Sequence, residues 1–318
     1  MSRVLTGLIS SVLLLSIVLN IYLGAYFAAS LKSVSEVAYE DGDVALAGQR
    51  IVVLPVRGMI NDDTAAFVRS SLRALDKNPP KALILRVDSP GGAVSPSDRI
   101  WHMLREFKQK HNIPMVASFG SMAASGGYYI SAACDHLIAE PTTITGSIGV
   151  IAQAFTVEEL MKKIGVTPEI IAATGATKKD TLNSFRNWTD KDRNELRFIL
   201  DEVHELFIDV VSQGRKGRLT PEEVRVLATG EPFTLKQALA NKLVDEQGYL
   251  EAAIAKASAL ANLSGNPPVF VIQPPKSVLS TLMGSNSTIP QPDSISGGQV
   301  RQWLVELSTP QLEYRWAP

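Results

Sequence analysis

The chain has one cysteine, Cys134, and four histidines in 318 residues, and its net charge is -1. A single cysteine excludes an intrachain disulfide and any cysteine-cluster metal site. Cys134 lies in an apolar stretch and reads as a small core residue. His102, His111, His136 and His204 are scattered, and no His-Glu-x-x-His pattern occurs. None of the four sits at a Gly-, Ser- or Asp-rich turn at a strand end, so a Ser-His-Asp triad is poorly provided for. Charged residues make up 20% of the chain with no excess of one sign, which points away from nucleic acid as a partner. There is no internal repeat.

Charge is also missing locally. From Val4 to Leu31 there is no charged residue, and Asn20 alone is strongly polar. A membrane-spanning helix needs about 20 such residues, against roughly 7–15 for the core of a cleaved signal. The run predicts an uncleaved anchor over residues 1–31, although Ala28-Ala29-Ser30 leaves cleavage open. Arg3 precedes the run, while Glu36, Glu40, Asp41 and Asp43 follow it beyond Lys32. The positive-inside rule then puts the remainder of the chain on the far side of the membrane.

Residues 32–49 lack periodicity and read as a juxtamembrane linker. A folded domain over 50–263 follows, in which strand and helix patterns alternate as βα units on a largely parallel sheet. Arg50–Val56, Ala82–Asp88 and Pro114–Phe119 are strand runs, with short strands at His136–Ala139, Thr145–Ile151 and Glu169–Ala172. Helices are predicted over Asp63–Lys77, after Ser95 as N-cap, over Glu158–Ile164, and over about Asp190–Gln213 behind Thr189. Shorter helices follow Thr220 and run over Leu235–Ala240 and Leu250–Leu263. From Ser264 onward Pro, Ser, Asn and Gly crowd the sequence, predicting a tail over 264–318 with little core of its own.

Within that frame one serine has distinctive surroundings: Ala123-Ala124-Ser125-Gly126-Gly127, between a strand run and a short helix-compatible stretch. A hydroxyl on a strand-to-helix turn meets free backbone N–H groups, and small neighbours let a substrate carbonyl approach. Such turns also serve as plain packing devices. Asp88-Ser89-Pro90-Gly91-Gly92 is a second glycine turn at a strand end. It either supplies a backbone donor or only turns the chain, and it lacks the spacing of a nucleotide loop. A serine needs a base, and with histidine poorly placed a lysine is the next candidate. Lys178-Lys179-Asp180 offers two in a polar turn, which also suits a solvated surface.

Several motifs together resemble the signal peptide peptidase A family of membrane-anchored serine peptidases. They are Val87–Gly92, Gly120–Tyr129, Thr145–Val150 and Leu243–Gly248, in a match from about Ile51 to Ala255. The resemblance implies an α/β, Clp-protease/crotonase-like fold of repeated ββα/βα units behind an N-terminal transmembrane helix. It makes Ser125 the nucleophile and Lys179 the general base, with Lys178 the alternative because of an extra residue in the turn. It further implies Ser147 orienting the lysine, and Gly92 and Gly126 as oxyanion donors. No metal or other cofactor is implied. The chain looks like the short, single-copy form, which implies a homo-oligomeric, octameric ring with the lysine reaching a neighbour's serine. Substrates would be peptides, namely signal-peptide remnants, at the bacterial inner membrane with the catalytic domain on the extracytoplasmic side. A related peptidase cutting intact membrane proteins, a silent scaffold, and acyl-CoA chemistry are the alternatives.

Overall fold

A computed structural model describes residues 49–273, together with the backbone of Ala38–Tyr39 and Gln311–Arg315. The anchor expected over residues 1–31, and most of the expected linker and tail, lie outside the described residues. Strand β1 is Ala38–Tyr39. Strand β2, Ile51–Arg57, is buried along almost its whole length, as an apolar run needs when both faces of a sheet are covered. Val52, Leu54 and Val56 join one core cluster, whereas Ile51 and Val53 join a smaller one on the opposite face. That alternation is the two-residue period of a strand.

Helix α1, Asp62–Asp76, starts one residue before its predicted position. Asn61 caps it, accepting from Thr64 N at 3.0 Å, while Thr64 Oγ1 accepts in return from Asn61 N. Strand β3, Ala82–Ser89, then leads through the short β4, Gly91–Ala93, straight into α2, Val94–His111. Ser95 is therefore inside α2 and not its cap, because β4 enters the helix with no intervening turn. Ala93 stands at the cap without a side-chain bond, and Pro96 falls in the first turn, where a missing N–H costs nothing.

Strand β5, Met115–Ala124, is followed by α3, Gly126–Ser131, and by β6, His136–Ala139. The single strand predicted around 145–151 is two short ones, β7 at Ile144–Gly146 and β8 at Ile151–Gln153. Helix α4, Glu158–Lys163, and the long α5, Asp190–Gly214, bracket a stretch without regular elements. Glu169–Ala172 is not a strand: Ile171 is 92% exposed and the segment has no pairing partner among the described residues. Beyond it come α6, Pro221–Leu227, β9, Pro232–Thr234, and α7, Leu235–Ala240, each helix with a Thr capping box. Strand β10, Glu246–Gln247, and α8, Leu250–Leu260, complete this part.

Strand β11, Val269–Gln273, falls in the segment whose composition reads as tail, yet it pairs parallel with β2 and buries Ile272. The main sheet runs β1-β11-β2-β3-β5-β6-β10, with β7 joining β5 and β9 joining β7. Its centre is parallel, while β1–β11 and β7–β9 are antiparallel, so the fold is α/β with a mixed sheet. A second, three-stranded sheet places β12, Gln311–Arg315, between β4 and β8.

One buried ion cluster ties the last third to the sheet. Arg215, 1% exposed, meets the Asp245 carboxylate at 2.7 and 2.9 Å, and Leu137 N donates to it at 2.8 Å. Burial raises the Asp245 pKa. Bonding to Arg215, its charge, the Leu137 N–H and Arg218 outweigh that, holding it below the ordinary value of 3.8. Asp245→Ala leaves Arg215 buried and unpaired and is expected to cost about 3–5 kcal/mol, read as a fall in denaturation midpoint. A carboxylate with a depressed folded pKa stabilises above its ordinary value. The Asp245 contribution should therefore fade as pH drops through about 4, and the variant should show less acid-dependent loss than the parent.

Candidate active site

Beyond Val87 the β3–β5 register slips, so that Val87 faces Phe119 but Ser89 faces Ala123. The Asp88 carboxylate takes up the slack, accepting from Ser121 Oγ at 2.6 Å and Met122 N at 3.1 Å. The freed end of β5 pairs with β7, placing Ala124 against Gly146. Thr145 Oγ1 donates to Ala123 O at 2.6 Å.

Ser125 follows directly. Its N–H donates to Gly146 O at 2.7 Å, and its backbone takes φ 53° and ψ −116°. That is a region side-chain-bearing residues rarely occupy, and holding one there costs about 1–3 kcal/mol. Ser125 is wholly buried, and its Oγ has no hydrogen-bond partner among the described residues. Gly126 opens α3, so its N–H is among the first-turn donors that lack an intrahelical acceptor.

Both glycines of the neighbouring turn have separate physical reasons. Gly91 has φ 104°, whereas a Cβ on Gly92 would lie 2.1 Å from Ile60 O. Ile60 N donates to Gly91 O and Ala93 N donates to Ile60 O, clamping β4 beside the chain leaving β2. Strand β4 in turn packs against α3, which brings Gly92 to the same region as Ser125.

Ser147 stands one residue beyond the carbonyl that holds Ser125. It is buried at φ 51°, its Oγ donates to Gly230 O at 3.0 Å, and its N donates to Glu231 O. Ser125, Gly126, Ser147 and Gly92 therefore gather at one end of the sheet. The lysines do not join them within one chain. Lys178 and Lys179 are both exposed, Lys178 Nζ pairs with Glu195 Oε1 at 2.6 Å, and neither bonds to Ser125 Oγ. Lys179 Nζ has no ion pair among the described residues.

The lysine turn is nevertheless built. Arg186 bonds Asp180 through Nε at 2.5 Å and Asp192 through Nη1 at 2.7 Å, fastening the turn to the start of α5. Hydrogen bonds from Asn183 and Arg186 hold the Asp180 carboxyl below its usual range. Sequence reasoning missed this clamp, although Asp180 belongs to the Lys178-Lys179-Asp180 turn that it singled out. On either side of the turn in sequence, Phe155, Leu160, Ile164, Ile171 and Phe198 are all more than half exposed.

The other candidate groups go elsewhere. His136 faces Asp245 and Glu246, His111 faces Asp76, and His102 faces Glu106. Burial pushes the Cys134 thiol up to about 12, so it supplies no thiolate near neutral pH.

A buried serine on a strained strand-to-helix turn, flanked by open backbone donors, is the layout of a serine hydrolase. The Peptidase family S49 model matches residues 107–264. A putative protease of Synechocystis sp. is 35% identical over 82% of this chain and 93% of its own length. Protease 4 of Haemophilus influenzae is 36% identical over 67% of this chain, which spans only 35% of that protein. The putative signal peptide peptidase SppA of Enterococcus faecium is 31% identical over 69% of this chain and 66% of its own. Among solved structures, a membrane-bound stomatin-specific protease aligns over 72% of this chain and all of its own, with TM-score 0.48 and 17% identity. The chain belongs to peptidase family S49 and is a serine peptidase.

Proposed function

We propose that the chain is a membrane-anchored endopeptidase with a Clp-protease/crotonase-like fold, working as a homo-oligomeric ring on signal-peptide remnants. Ser125 is the nucleophile, and the base is a lysine from a neighbouring copy. The observation that carries this reading is an imbalance within one chain. A strained, buried serine has an Oγ without a partner among the described residues, while both candidate lysines stand on an exposed, apolar-rich arm. A second copy covering that arm would bury the lysine, and burial disfavours a charged amine. Lys179 is the better candidate, since Lys178 is engaged with Glu195.

In this mechanism the Lys179 amine takes the Ser125 proton as Oγ attacks the peptide carbonyl carbon. The N–H groups of Gly92 and Gly126 hold the oxyanion, and Ser147 orients the amine. The leaving amine collects the proton as the C–N bond breaks. Water then hydrolyses the ester and frees Ser125.

The test is labelling with a serine-reactive fluorophosphonate, mapped by mass spectrometry, alongside hydrolysis of signal-peptide sequences and of an intact membrane protein. The label should sit on Ser125, with faster cleavage of the free peptides. Absence of label would remove the nucleophile, and cutting only the intact protein would move the enzyme to a different substrate class.

A further inference from the structure

Two adjacent residues at the end of β3 touch both halves of the site. In an even parallel ladder each step along β3 matches one step along β5, so Val87 opposite Phe119 would put Ser89 opposite Ser121. Ser89 stands opposite Ala123 instead, and β5 carries two surplus residues just before the serine turn. A strand with residues to spare has more than one register open to it, and a slip of one residue moves it by about 3.3 Å. Acyl transfer tolerates far less, since a misplacement of about 1 Å can cost about 10²-fold in rate.

Asp88 selects the register. Its Oδ1 accepts from Ser121 Oγ at 2.6 Å and from Met122 N at 3.1 Å, so both bonds fall on the surplus residues. An ionised carboxylate only accepts, and hydrogen bonds to it are stronger than neutral ones. Beside this bond pair, Thr143 Oγ1 donates to Gly120 O at 2.6 Å. Ser89 serves the other half. Its buried Oγ donates to Gly58 O at 2.6 Å and accepts from Gly91 N at 3.1 Å, one residue before the proposed oxyanion donor Gly92. Gly58 N closes the loop by donating to Asp88 O at 2.9 Å. A Cβ on Gly127 would lie 3.0 Å from Ser89 O, so Ser89 also limits how closely α3 approaches. Neither residue bonds Ser125 Oγ, and each reaches the site through backbone.

We infer that Asp88 and Ser89 are positioning residues of the peptidase, Asp88 fixing the reach of the Ser125 hydroxyl and Ser89 fixing the Gly92 N–H against it. The inference rests on the Ser125 and Gly92 reading for what is positioned, but on the register slip and the two sets of bonds for how. Adjacent side chains leave a strand on opposite faces. One short stretch of β3 therefore holds nucleophile and oxyanion turn at a set separation.

The test counts reactive serines separately from their speed. Labelling by a fluorophosphonate gives the number of competent sites by its amplitude and their geometry by its rate. Asp88→Ala should take the label to the parent's full extent but about 10²-fold more slowly, with peptide kcat falling in step and KM held within about twofold. Asp88→Asn keeps the Oδ1 acceptor and should return the rate to within about fivefold of the parent. Ser89→Ala should slow labelling about tenfold or more at full amplitude. Ser121→Ala alters an exposed side chain and removes one of the two Asp88 bonds. It should slow labelling about threefold or more, which keeps the proposal open to refutation should Asp88→Ala fail to fold. Reduced amplitude at the parent's rate would make both residues structural only, and parent rates throughout would overturn the proposal while leaving the serine mechanism standing. A parent that neither takes the label nor cuts peptide removes the nucleophile itself, and the positioning role with it.

Discussion

Ser125→Ala is expected to lower peptide hydrolysis by at least about 10³-fold while leaving the fold intact. The activity loss follows from removing the attacking oxygen, since backbone donors alone retain only a small residue of catalysis. The intact fold follows from geometry. Ser125 Oγ is buried without a partner among the described residues, so its removal orphans none of their groups. The backbone makes a second, opposite-signed expectation available. At φ 53° and ψ −116° a Cβ is strained, and glycine relieves it. Ser125→Gly should be as inactive as the alanine variant yet more stable than the parent by about 1–2 kcal/mol, read by calorimetry. A serine without a catalytic role would leave hydrolysis unchanged in both variants. Undiminished turnover in either variant would exclude Ser125 as nucleophile.

The same strain explains what sequence could and could not reveal. The parallel centre of the sheet was legible because Ile51–Val56 and Ala82–Leu85 are unbroken apolar runs, a pattern made by burial on both faces. Ser125 was legible because its small neighbours are needed for the turn, and Gly91-Gly92 because φ 104° and contact with Ile60 O exclude side chains. The cap of α2 was misread because Ser95 has the right chemistry but β4 leaves no turn for it to cap. The Glu169–Ala172 segment has strand composition, and composition does not supply a partner strand. Strands β11 and β12 were hidden by the Pro- and Gly-rich sequence around them. Their pairing depends on edges presented by residues far earlier in the chain. Composition and periodicity carried no sign of the lysine's path to the serine, and the described residues of one copy do not bring the two together.

That path can be forced into view with two inactive proteins. Lys179→Ala should lose at least about 10³-fold in hydrolysis, as expected when the group that deprotonates the nucleophile is gone. Lys178→Ala should change the rate by only a few fold, because an exposed pair such as Lys178–Glu195 is worth about 0–1 kcal/mol. The reverse pattern would move the role to Lys178. Mixing then distinguishes one chain from two. In a ring with head-to-tail contacts, each site draws its serine from one copy and its lysine from the next. Ser125→Ala protein still carries the amine, and Lys179→Ala protein still carries the hydroxyl. Random assembly of equal amounts puts an intact pair at about one site in four, so roughly a quarter of the parent rate should return on co-refolding. A lysine that served its own chain would leave the mixture dead. Full assembly with no recovered hydrolysis would therefore place the base within the same copy, and the exposed arm would need a different explanation.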